Sequence, residues 1–326
     1  TGFSLIGVYI VVESWLNDRA TNRNRGGVLS IYMFITFTGL AVGTLLLNFN
    51  KPEHYEPFIL TSLLFSIALV PILLVKRTAP KFKKISFIKI KQLYKISPLG
   101  SFSMFCTGLI HSAIFGVGAV YATTLNFTIF EISVFLFLIT IAGAIFQFPI
   151  GYFSDKQDRR VVLIACTFLA TIFCILAILS SGTSIENMYL ASSIGAEKIL
   201  FFLFVTIYAG CALPMFTLNL AYVNDFIDKE RFVAAGAGLQ IIFGIGAMGG
   251  PFLCSVFMNQ YGVNGFFIFL AIFHTLVGLF GLYRMTRRNY EDNPESTFTP
   301  LPRNITPLGI ELDPTTAADL SNSDKK

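Results

Sequence analysis

The sequence predicts an all-α polytopic membrane protein, and three observations carry that prediction. Apolar residues fill 54% of the 326 positions and charged residues only 13%, about half the charged share of a globular chain. The apolar residues gather in nine stretches, 1–16, 27–47, 58–75, 99–120, 132–153, 161–179, 199–223, 232–258 and 265–283. Each meets or approaches the roughly 20 residues that cross a bilayer as a helix. Third, Lys and Arg fall almost wholly into alternate connections between these stretches.

Taken in order, the first stretch is short, about 24 Å at the usual helical rise. The connection after it holds Arg19, Arg23 and Arg25. Two stretches later, 76–95 carries eight Lys or Arg and no acid, and the same alternation continues with Lys156, Arg159 and Arg160. Lys229 and Arg231 follow, then Arg284, Arg287 and Arg288, while the intervening connections hold only Lys51 and Lys198. Positive residues retained on the cytoplasmic side orient such a chain. The first helix is therefore expected to start outside and the last to end inside. The net charge of +5 is an orientation signal on this reading, and no nucleic-acid partner is expected.

Segment 76–97 reads equally as an amphipathic piece on the inner leaflet or as a solvated basic linker. After 283 the composition changes, with Pro294, Pro300, Pro302, Pro307 and Pro314 among Ser, Thr and Asp. Such a segment lacks the apolar surface to fold alone, and 285–326 is expected to be a disordered cytoplasmic tail. The five cysteines stand singly in apolar runs, with no paired or metal-type spacing. No metal, cofactor or enzymatic constellation is expected.

The polar turn 151–160 reads GYFSDKQDRR. It resembles the signature loop of the major facilitator superfamily, G-x-x-x-D-(R/K)-x-G-R-R. Gly151, Asp155, Lys156, Arg159 and Arg160 stand on matching positions, while Asp158 replaces the second glycine. The turn there cannot use glycine's left-handed freedom. The segment ESWLN at 13–17 is similar to ones in a poorly characterised bacterial branch of that superfamily. The resemblance implies two six-helix bundles with both chain ends inside, of which about nine of twelve helices stand here. On that expectation 1–75 is a remnant of the first bundle (helices four to six), 76–97 a basic linker and 98–284 the complete second bundle. The Thr1 start and the outside start of the first helix agree with an N-terminally truncated chain. The implied function is secondary transport of a small solute across the bacterial inner membrane, by a monomer with alternating access.

The resemblance also implies a latch. When the cytoplasmic side is closed, Asp155 would accept hydrogen bonds from the start of the helix at Phe232, whose N–H groups carry partial positive charge. Arg159 or Arg160 would reach an acid, and Asp225 is placed to be it; simple topogenic charge is the other reading of the two arginines. Glu13 is the only acid inside the apolar part of a stretch, where a carboxylate is costly. A latch role by pseudosymmetry with Asp225, a role in proton coupling and a snorkelling interface residue all stay open for it.

His111 lies mid-span and either relays a proton or touches solute, or simply bonds a neighbouring helix. Tyr208 and Asn219, flanking Pro214, are candidates of the same kind. Gln147 either contacts a ligand or satisfies backbone freed by Pro149. His274 is set aside as peripheral. The glycines from Gly236 to Gly250 are expected to let helices approach closely. A second class stays open, a facilitator-like sensor or scaffold without transport. An intact cavity with a titratable group argues for transport, and occlusion by Phe and Ile for the scaffold.

Overall fold

Helices account for nearly all regular structure in the computed structural model, which describes residues 2–21, 24–49, 54–74, 88–181, 196–287 and 296–314. The elements run α1 (Gly2–Arg19), α2 (Arg25–Leu45), α3 (Glu56–Leu74), α4 (Ile90–Ile96), α5 (Pro98–Thr124) and α6 (Ile129–Lys156). They continue with α7 (Arg159–Ser180), α8 (Ala196–Ala212), α9 (Met215–Asn224), α10 (Phe232–Tyr261), α11 (Gly265–Met285) and the single turn α12 (Pro307–Ile310). No strand occurs among the described residues. Six segments are long and apolar enough to cross a membrane, one of them spanning both α10 and α11. The apolar parts of α1 and α3 are shorter, Ser4–Asn17 and Glu56–Val70.

Local chemistry explains the boundaries. α5 starts with Pro98 after Ser97, whose hydroxyl accepts the Gly100 N–H at 3.3 Å, the arrangement expected at a helix start. Thr128 and Glu131 form a reciprocal capping box at the start of α6. Pro214, which lacks an N–H, stands at the break between α8 and α9. At Gly262 the chain turns from α10 to α11 with φ of 65°, a conformation that favours glycine.

α5 packs along α10, α7 along α11 and α8, and α6 along α8, while α2 lies against α6 across the two halves of the chain. The α5–α10 contact is backbone to backbone. A Cβ on Gly246 would stand 3.1 Å from the Leu109 N and closer still to the Phe105 carbonyl oxygen. Gly244 differs from its neighbours, with nothing within 4 Å. The core between α5, α6, α8 and α11 is aromatic, with the Tyr121 and Phe266 rings 4.5 Å apart. At that end Lys198 pairs with Glu131. Large apolar side chains such as Phe34, Phe58, Phe148 and Phe252 point outward, as a lipid-facing surface requires.

The structure describes part of one segment read from sequence and departs from expectation at another. Of the basic segment, 75–87 lies outside the described residues; Ile88 donates its N–H to the Ala234 carbonyl at 3.0 Å and α4 follows, burying Leu93. The tail is not free over 296–314. Phe298, Leu301, Ile305, Leu308, Ile310 and Leu312 are all buried. The segment cannot fold alone, but the helices supply the apolar surface it lacks. Residues 288–295 and 315–326 lie outside the described residues.

Candidate functional site

The motif 151–160, expected from sequence as a polar turn, is mostly helical. It ends α6 at Lys156, turns through Gln157 and Asp158, starts α7 at Arg159 and builds one corner of the site. Asp158 takes over the turn, with φ of −55°, so no left-handed residue is needed there. Its carboxylate caps α7 by accepting the Arg160 N–H at 2.9 Å and clamps the Arg160 guanidinium at 2.6 Å. Arg160 is therefore held within its own turn. Lys156 is exposed and leans on Tyr152, apart from the buried groups.

Arg159 is only 3% exposed. It pairs with Asp225 at the end of α9, donates to Asp155 at 2.8 Å and donates to the Ala221 carbonyl at 3.1 Å. Its remaining partners are the hydroxyl of Ser296, at 2.6 Å, and the Ser296 carbonyl. A buried guanidinium with two carboxylates and several neutral acceptors is compensated on most sides, which such a charge requires.

Asp155 does not meet the start of α10. Its Oδ1 accepts the backbone N–H of Phe298 at 2.8 Å, so the tail stands where the helix start was expected. Gly151 makes room for that approach. A Cβ there would fall 2.9 Å from Cε1 of Phe298 and nearer still to its Cδ1.

From Ser296 the tail descends between the halves, turns and returns. The Thr299 hydroxyl and the Asp313 carboxylate close its neck at 3.0 Å, and the Ile305 N–H closes its tip on the Pro302 carbonyl at 3.0 Å. On one flank Thr217 donates to the Leu301 carbonyl at 3.2 Å and Gln240 to the Ile305 carbonyl. On the other flank, Asn17 donates to the Leu308 carbonyl and Arg25 to the Glu311 carbonyl at 2.9 Å.

Glu13, on α1, is fully buried and anchors the returning arm. Its carboxylate accepts the N–H groups of Thr306 at 2.8 Å and Gly309 at 3.1 Å, the Thr306 hydroxyl, and the Tyr32 hydroxyl at 2.6 Å. No cation is among these partners. Four donors offset the desolvation of the charge instead.

The tip of the tail closes a space walled by α2, α5 and α6. His111, Gln147, Thr140, Phe115, Arg303 and Asn304 line what remains, a cavity of about 30 Å³, the room of a water or two. Larger hollows beside α2, of about 680 and 590 Å³, are lined mostly by apolar side chains and do not include His111, Gln147, Thr140, Arg303 or Asn304. His111 Nε2 lies 3.2 Å from the Ala212 carbonyl at the end of α8. Its Nδ1 and the Gln147 Oε1 are buried without a hydrogen-bond partner among the described residues.

Tyr208 and Asn219 are not at this cavity. Tyr208 faces α11, edge-on to Phe267 and His274, and Asn219 donates to the Thr107 hydroxyl on α5 at 3.0 Å. Tyr208 thus points into the core between α8 and α11, and Asn219 toward the contact of α9 with α5. His274, set aside from sequence, is buried beside Tyr208, and neither ring nitrogen has a partner among the described residues.

The tail was the part sequence reasoning missed. Its signal is the recurrence of large apolar residues from Phe298 to Leu312 within a proline-rich stretch, together with Thr306–Pro307, a helix-start pair.

A polytopic helical chain with a facilitator-type loop between α6 and α7 defines the class. The chain belongs to the major facilitator superfamily, whose family model matches residues 1–215 and 100–315. It is 24% identical over 266 residues to YcaD of Escherichia fergusonii, covering 81% of this chain and 65% of the relative. It is 24% identical over 278 residues to YfkF of Bacillus subtilis, covering 81% and 66%. Both relatives bear the name uncharacterized MFS-type transporter. The chain thus spans about two thirds of the length of these relatives. No solved structure matches it.

Proposed function

We propose that the protein is a secondary transporter of the bacterial inner membrane, moving a small solute by alternating access. The observation that carries this reading is a polar space between the halves, walled by α2, α5 and α6, with His111 and Gln147 offering unpartnered atoms to it. Buried acceptors without partners are costly, and a solute that supplies donors would relieve that cost. On this reading 1–75 and 98–284 belong to opposing bundles, with nine of twelve helices here, and the loop 151–160 and the tail face the cytoplasm. The protein acts as a monomer.

Asp155, Arg159, Asp225 and Glu13 form the latch, with Gly151 admitting Phe298. The tail bridges them: it joins Arg159 and Asp155 of one half to Glu13, Asn17 and Arg25 of the other. A contact present in one state only biases a two-state equilibrium. Proton coupling, where it operates, falls to Glu13 or His111.

A non-transporting sensor or scaffold is the second reading, and the closure of the cavity by Leu301, Pro302 and Arg303 favours it. Flux decides between them. The whole protein, and a variant with Leu301→Asp and Ile305→Asp to expel the tail, are reconstituted and assayed against a panel of small cations, neutral solutes and anions. Saturable flux of any solute by either supports transport. Binding without flux in both supports the sensor.

A further inference from the structure

Arg303 is a half-buried positive charge at the tip of the tail. Its guanidinium carbon lies 3.3 Å from the centroid of the Phe115 ring on α5. No hydrogen bond or ion pair joins its side chain to another described residue. The tail is anchored elsewhere, through Thr217, Gln240, Asn17 and Glu13. The tip therefore reaches a cavity that the docking of the tail does not itself require.

The lining suits a cation. Among the described residues its polar wall consists of His111, Thr140 and Gln147, joined by Asn304 from the tail, so neutral acceptors and the Phe115 ring would meet a cation there. An aromatic face attracts a cation through its quadrupole, and spare neutral acceptors such as Gln147 Oε1 and His111 Nδ1 take N–H donors. An anion would meet the negative face of Phe115. An uncharged solute without donors would leave the acceptors unsatisfied.

We propose that the place held by Arg303 is the solute site, that it takes a monovalent organic cation with a guanidinium or similarly flat head, and that the tail competes with that solute as a tethered occupant. The assignment rests on the transport reading above.

The test empties the place without removing the tail. Arg303→Ala leaves the anchors on Thr217, Gln240, Asn17 and Glu13 intact. Butylguanidinium, butylurea of the same shape without charge, and pentanoate are titrated into purified wild-type and variant protein in nanodiscs. Binding and thermal unfolding are both read. Butylguanidinium is expected to bind Arg303→Ala roughly tenfold more tightly than wild type, and to raise its melting temperature, as a desolvated cation–aromatic contact allows. Butylurea and pentanoate should do neither. Phe115→Leu in the same background should abolish the preference for the charged probe.

Should the tail collapse into the void, the full-length Leu301→Asp, Ile305→Asp protein repeats the comparison with the tail expelled. Equal binding of butylurea, preference for pentanoate, or no butylguanidinium binding to either variant overturns the proposal. The two readings fail separately. Butylguanidinium binding without flux of any solute leaves a cation site in a protein that does not transport. Flux of pentanoate but not butylguanidinium leaves a transporter with a different solute class.

Discussion

The Glu13 carboxylate on α1 accepts the backbone N–H of Thr306, 293 residues later, at 2.8 Å. The outgoing arm of the same segment is held by Asp155, which takes the Phe298 N–H at 2.8 Å. Two carboxylates, one in each half of the chain, thus hold two ends of one loop. Both acids recognise main-chain donors, so the docking depends little on which side chains flank those N–H groups.

Glu13→Gln keeps the shape of this anchor and removes its charge. The amide offers one acceptor oxygen where the carboxylate offers two, and its NH2 faces donors. Hydrogen bonds to a charged group contribute about 1.5–3 kcal/mol, so tail release should become at least roughly tenfold easier. Amide hydrogen exchange over 300–312 should quicken by that factor. Unchanged exchange in a folded variant would show that the apolar contacts alone hold the tail.

Gly309→Ala tests the same anchor through shape. A Cβ there would stand 2.6 Å from the Glu13 Cδ and 2.7 Å from its Oε2. The turn α12 must lift away, at a cost on the order of 1–3 kcal/mol. Gly244→Ala is the control, because a Cβ there meets nothing within 4 Å; it should be neutral or mildly stabilising in a helix interior. Equal effects of the two substitutions on thermal unfolding would remove the contact from the account.

Legibility from sequence followed the strength of the physical constraint. Long apolar helices were readable because a bilayer demands long apolar runs, whereas the break at Pro214, inside the stretch read as 199–223, and the start at Ser97–Pro98 emerged only in the structure. The acid at 13 stood out because a carboxylate inside an apolar run is costly, and residues 155 and 159 because their segment resembles the superfamily's signature loop. Which groups would meet was harder. Asp155 has the tail as its partner and not α10, a relation no local spacing encodes. The tail was misread because its apolar residues are spread among prolines and cannot cluster by themselves; only the cavity wall makes them a packed segment. Tyr208 and Asn219 had the right residue types, but rotation about the helix axis decides whether such groups face a cavity or a core.

Arg159 and Asp225 form a buried pair, 4% and 2% exposed in their side chains. Removing one member leaves the other buried charge less well compensated, at a cost of up to about 3–5 kcal/mol. Arg159→Met and Asp225→Asn should each destabilise by that order, and the double variant by much less than the sum. Denaturation in detergent gives the three values. Additivity would mean that the two side chains act independently, with Arg159 sustained by Asp155 and Ser296 alone.

Asp155→Asn should weaken the outer arm of the loop. Asn still accepts the Phe298 N–H, but the attraction to Arg159 at 2.8 Å loses its charge. Thr217, buried beneath the tail and bonded to the Leu301 carbonyl, is the reporter. Thr217→Cys is placed in a background freed of the five buried cysteines and labelled with a water-soluble maleimide. Labelling should rise by roughly tenfold when Asp155 is also changed, in line with a shift of about 1.4 kcal/mol. Equal labelling with and without the Asp155 change would mean that the charge of Asp155 does not hold the tail.

Any proton coupling makes the last demand on the site. Driving solute with protons requires an ionisable group inside the membrane that both sides can reach in turn. His111 meets the Ala212 carbonyl through Nε2 and leaves Nδ1 at the cavity, so a proton or a solute can arrive at the second nitrogen without breaking the first contact. Glu13 meets tail donors, and departure of the tail would strip three of its four hydrogen bonds. Its charge would then be poorly compensated, and a proton would be the simplest replacement. With flux measured across an imposed pH gradient, Glu13→Gln should flatten the pH profile while downhill exchange of solute persists. His111→Ala should raise KM for solute and keep the profile. Reversal of these two outcomes would make His111 the coupling group, and an unchanged profile in both would place coupling on neither residue.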